Sequence, residues 1–174
     1  QLSFNLTPTY KSWTGHLGQS SMSMSSYVMN MSFNGVGIEY NDGKYLRGGL
    51  FYGRLRKAIN DDPTNPLARS PQYKRMGWGV KAGVGNSKNY LDFYLLRAYD
   101  VERTLHEKWR QHTSPQENVV VGVKGCVTPA KWMSFTANAA TSVFSSDTRA
   151  EQVVTNTDFD KVFDIRYSTL LRFA

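Results

Sequence analysis

The side chains capable of chemistry in this chain stand singly along alternating runs rather than in constellations. Lys81, Asp92, Lys124, Asn138, Asp164, Arg166 and Arg172 each occupy the polar phase of a stretch whose other phase is apolar. Charges placed this way, among Gly, Ser and Thr, suit the wet or hydrogen-bonded lumen of a barrel, where they pair structurally or tune a pore. Met22, Met24, Met29 and Met31 are soft thioether ligands of the kind copper(I) takes. Met29 and Met31 share the apolar phase with Tyr27 and Phe33, however, which predicts ordinary packing against lipid. His106 and His112 lie in a charged stretch at a spacing that gives them no common face. Cys126 is the only cysteine, which excludes an internal disulfide and a cysteine-based zinc site. No serine, cysteine or carboxylate nucleophile recurs at a recognisable spacing from a base. The residues therefore predict no enzyme, no metal centre and no cofactor.

The elements that must carry these side chains are strands. From Met76, the residues Met76, Trp78, Val80, Ala82 and Val84 alternate with Gly77, Gly79, Lys81, Gly83 and Gly85. A period of two suits a strand and not a helix. After Asn86-Ser87-Lys88 the pattern resumes, with Leu91, Phe93 and Leu95 opposite Asp92 and Tyr94. This is the grammar of a β-hairpin. Its arms run to about 11–13 residues, against ~5–6 for most strands and roughly 9–11 for one crossing a bilayer at a tilt.

The same grammar recurs throughout. Strands are expected at Leu2–Leu6 and then from near Tyr10, Tyr27, Tyr45, Met76, Tyr90, Val119, Trp132 and Val162. Tyr27 to Phe33 and Val36 to Tyr40 alternate out of phase, so a bulge is expected at Asn34-Gly35. Short turns are expected near Pro8, at Asn41-Asp42-Gly43-Lys44, at Asn86-Ser87-Lys88 and at Thr128-Pro129-Ala130-Lys131. Long connections separate them, and Glu102 to Gln116 has room for one helical turn. All short turns thus fall at one end of the sheet and all long loops at the other, as in outer-membrane barrels. Tyr40, Tyr45, Tyr90 and Trp132 flank the short turns, where an aromatic girdle would meet the bilayer interface.

The net charge is +7 over 174 residues, which is compatible with an anionic partner: nucleic acid, lipopolysaccharide or an acidic solute. Basic residues are spread along the chain with no run of five, which disfavours nucleic acid. No apolar run approaches the ~18 residues of a membrane-spanning helix. No basic and apolar leader follows Gln1, so any signal peptide is expected to lie upstream or to have been removed. The competing architecture is a soluble lipocalin-like barrel or sandwich that binds glycan or lipid, because alternation alone does not tell inside from outside. Strand length, loop asymmetry and aromatic placement favour the all-β, antiparallel, meander transmembrane barrel, whole or partial, as a single domain. The function expected of it is transport through the outer membrane or a structural place among other envelope proteins.

The stretches NLTPTYKSWTGHLGQSSMSMSSYVMN, GGLFYGRLRKAINDD, PQYKRMGWGVKAGVG, PQENVVVGVKG and SSDTRAE resemble a recurrent set in outer-membrane β-barrel proteins of Bacteroidota. The likeness runs from Thr7 to about Glu151. It implies location and fold, carries no catalytic residues, and places these stretches in the interior of a longer barrel chain. Independently, nine strands in a meander leave the first and last parallel, whereas single-chain bacterial barrels are antiparallel with an even count. The 174 residues are therefore expected not to close a barrel alone, unless Leu2–Leu6 is merely a tail, in which case the remaining eight strands could close antiparallel.

Overall fold

The structure, a computed structural model, describes residues 4–22, 31–60 and 69–149. Nine strands occupy them: β1 (Asn5–Leu6), β2 (Thr9–Tyr10), β3 (Trp13–Met22), β4 (Met31–Asn41), β5 (Leu46–Arg56), β6 (Lys74–Gly85), β7 (Tyr90–Val101), β8 (Glu117–Ala130) and β9 (Met133–Ser145). They form one antiparallel sheet in which β1 and β2 both pair with β3, and every later strand pairs with its neighbour in sequence. The expected meander is present. Among the described residues its outer positions, β1–β2 and β9, do not pair with each other, so the sheet is open. The strand expected from Val162 lies outside the described residues, together with Asp164, Arg166 and Arg172.

Local chemistry fixes the turns. In the β4–β5 turn the Asp42 carboxylate accepts the backbone N–H groups of Lys44, Tyr45 and Leu46 at 2.8, 2.8 and 3.0 Å. Gly43 there has φ +74°, a conformation that a Cβ would strain. In the β6–β7 turn Asn86 Oδ1 accepts from Lys88 and Asn89, both at 2.9 Å. The hairpin above it keeps unbroken register from Gly85–Tyr90 to Lys74–Val101. The connection after β7 holds a 3-10 turn, Glu102–Thr104, and a single-turn helix, Glu107–Arg110.

Three expectations are corrected. No bulge occurs at Asn34-Gly35, and β4 pairs with β3 without a break from Trp13–Tyr40 to Met22–Met31. Phe33 is instead buried on the face opposite Val36 and Ile38, stacked on Phe51 at 4.8 Å between ring centroids. Apolar residues on both faces of one strand had imitated a change of phase. The first hairpin turns at Lys11-Ser12 and not near Pro8, since Tyr10 pairs with Trp13. Proline lacks an N–H but keeps its carbonyl, and Pro8 O still accepts from Gly15 N at 2.8 Å along this edge. β8 continues to Ala130 through a register shift after Val127, so its turn falls at Lys131-Trp132.

The sheet curls. Phe51 is wholly buried although the described fold is a single layer, which requires its face to be concave. Side chains converge on a concave face, and glycine makes the room. One cross-strand row reads His16, Gly37, Phe51, Gly79, Leu96 and Val120, with large and absent side chains alternating from Gly37 to Leu96. Met22, Phe33, Phe51, Tyr94 and Leu96 form the core there.

Candidate functional site

The concave face below that core is charged. Register places Arg47 beside Gly83, Gly83 beside Asp92, Asp92 beside Lys124 and Lys124 beside Asn138, one row across five strands. Asp92 is 2% exposed, and Arg47 Nη2 reaches its Oδ2 at 3.3 Å. Gly83 is needed between them, because a Cβ there would collide with the Asp92 carboxylate. The Tyr90 ring sits under both cations, with the Arg47 guanidinium 4.4 Å and the Lys124 ammonium 5.9 Å from its centroid. Lys81 occupies the adjoining row, with Asp92, Arg47, Glu39 and Lys124 as its electrostatic neighbours. In that row Tyr94 lies over Gly122, and its hydroxyl donates to Asn138 Oδ1 at 3.3 Å. Glu39 Oε2 meets His16 Nε2 at 2.9 Å.

Four of the expected lumen residues, Lys81, Asp92, Lys124 and Asn138, are thus gathered on one concave face. Arg47, the direct partner of Asp92, was not singled out from the sequence. Its signal was its phase: it shares the period of Gly49, Phe51 and Gly53, which are inward, and not that of Leu46, Leu50 and Tyr52. Cys126 is buried on the same face, where Thr136 Oγ1 donates to its sulfur at 3.5 Å. These groups can hold a register and neutralise one another. No three His, Cys, Asp or Glu side chains converge on a metal position among the described residues.

The convex face is the reverse. Val36, Ile38, Leu50, Tyr52, Val80, Phe93, Val121, Phe135 and Val143 are all exposed on it. A dent of about 420 Å³ on this face is lined chiefly by Val36, Ile38, Leu50, Tyr52 and Trp78. At the tight-turn end Tyr45 and Trp132 are strongly exposed, and the Tyr40 ring packs against Trp13 at 4.7 Å, tilted by 54°. Tyr90 departs from the expected girdle, since it shares the concave phase of Asp92 and lies beneath Arg47.

At the other end the long connections are tied together. Arg75 grips Asp100 through two bonds of 2.8 and 2.9 Å and reaches Gln116 Oε1 at 3.0 Å. Asn60 donates to Thr104 O at 3.2 Å and accepts from His106 N at 2.8 Å. Tyr73 Oη donates to Thr113 O at 3.1 Å. Asp147 takes hydrogen bonds from Arg149 and Ser114, which hold its carboxyl far below the usual range, the Arg149 side chain contributing most. In the opposite turn the three backbone donors, Lys44 N–H first, lower the Asp42 carboxyl likewise. Comparison of the chain with protein-family models, with curated proteins and with solved structures finds no match to any of them.

Proposed function

We propose that this chain forms a section of the wall of an outer-membrane β-barrel, with a filled and ion-paired lumen face that suits a structural or scaffolding place in the envelope better than a wide pore. One observation carries the reading: apart from the Arg97–Glu117 pair at the long-loop end, the exposed convex face is apolar between the turns, while the concave face carries Arg47, Lys81, Asp92 and Lys124. In water that polarity would be inverted, because a contiguous exposed apolar surface of this extent is a liability in a soluble monomer. In hydrocarbon it is what a barrel requires, apolar out and polar in. From Phe135 to Val143 the apolar phase of β9 spans ~27 Å along the strand, which a tilt of ~40° reduces to roughly 20 Å, near the ~25 Å lipid-facing band of such barrels. The resemblance to Bacteroidota outer-membrane barrels points the same way.

Filling of the concave face by Met22, Phe33, Phe51, Tyr94 and Leu96 is what favours a structural place over a wide water-filled channel. The test is fractionation of washed envelopes. The chain is expected to resist alkaline carbonate, to leave the membrane only with detergent, and to migrate differently on electrophoresis when unheated. Recovery as a monodisperse monomer in buffer would overturn the reading in favour of a soluble glycan- or lipid-binding module.

A further inference from the structure

The four tight turns share a feature that the fold does not need. Each exposes one lysine: Lys11, Lys44, Lys88 and Lys131. In three of them the lysine adjoins an exposed aromatic residue, as Tyr10-Lys11, Lys44-Tyr45 and Lys131-Trp132. Lys11 stands 5.3 Å from the centroid of Tyr10. Asp42 is the one acid in these turns, and its carboxylate is already occupied by three backbone N–H groups. The long-loop end is built differently. There Arg75 is matched by Asp100, Arg97 by Glu117 and Arg149 by Asp147. No such salt bridge involves the turn lysines among the described residues.

We infer that the tight-turn end is a binding surface for the headgroups of anionic phospholipids. The inference rests on the membrane reading above and adds which lipid this end prefers. Aromatic rings adjoining the turns settle at the bilayer interface, and a lysine one residue away reaches the phosphate level beyond it. Turns recur every second strand, so successive lysines lie ~10 Å apart around the sheet. That spacing is near the ~8 Å Debye length at physiological ionic strength, and the cations act on a charged surface together. Each lysine near an anionic leaflet favours it about fivefold.

The test uses the intact chain carrying Trp78→Phe and Trp109→Phe, which leaves Trp13 and Trp132 as reporters at the turn end. It is inserted into phosphatidylcholine vesicles doped with phosphatidylglycerol, with either lipid brominated near its headgroup. Brominated phosphatidylglycerol is expected to quench fluorescence at about a fivefold lower mole fraction than brominated phosphatidylcholine. High salt is expected to abolish the preference, as is the combined change of Lys11, Lys44, Lys88 and Lys131 to Gln. Equal quenching by both lipids in an inserted protein overturns this inference and leaves the barrel reading intact. Failure to insert into either vesicle overturns both. If the four-lysine variant does not fold, the salt dependence of the unsubstituted turns still decides.

Discussion

Asp92 depends on Arg47 on one strand and on the missing side chain of Gly83 on the next. Removing one partner of a buried ion pair leaves the other uncompensated, so Asp92→Ala is expected to cost about 3–5 kcal/mol, read from urea unfolding in detergent micelles. Gly83→Ala meets the carboxylate directly and is expected to cost about 1–3 kcal/mol by overpacking. Exposed carboxylates act through pH. Asp147 and Asp42 are held below their ordinary values, so their stabilising bonds are fully present above the unfolded carboxyl pKa of ~3.9 and are lost as pH falls through the depressed values. Protease nicking between Ser145 and Arg149 is therefore expected to stay low at neutral pH and to rise in strong acid. Asp147→Asn should bring the nicking on at neutral pH. Of these residues, Asp92 and its face were legible in the sequence by alternation. Arg47 was not, because pairing is a property of register, and register depends on where each turn closes.

Strands were the most legible elements and their ends the least. β6 and β7 follow the expected hairpin closely, since glycine alternating with Trp, Val and Ala leaves one reading only. β4 was misread because Phe33 is apolar and inward while Val36 and Ile38 are apolar and outward. Sequence carries hydrophobicity but not curvature, and curvature is what lets the concave face of this sheet be apolar in its upper half. The face assignment is testable on β8. Val121→Arg on the convex face is expected to destabilise the membrane-inserted protein by about 2–4 kcal/mol, whereas Ser142→Asn on the concave face should be tolerated. Heat-modifiable mobility after refolding into vesicles reads both.

For the whole molecule, the order of polarity from convex to concave face is the property that the proposed function rests on. A filled concave face predicts an absence of large, steady single-channel steps when the protein is incorporated into planar bilayers. Steps of porin size would show that the proposed barrel is not filled by the Phe33–Phe51 stack. The turn and loop order, the exposure of Tyr45 and Trp132, and the shared phase of Lys81, Asp92, Lys124 and Asn138 were legible in the alternation, whereas the inward turn of Tyr90 was not. The welded long-loop end was not, because Arg75, Asp100 and Gln116 lie far apart in sequence and meet only through the sheet between them.

The neighbour-to-neighbour order of the strands has a consequence for how the molecule comes to exist. Every ladder from β3 onward joins segments adjacent along the chain, so no strand waits for a distant one to arrive. Loop-closure entropy is then spent in small, local steps, which lowers the contact order for a β-rich fold and speeds its assembly. Such an order lets the sheet extend one hairpin at a time. From β3 to β8 the next piece of chain is the partner the growing edge requires, so the protein's own sequence is the nearest strand to cover the unpaired amides there.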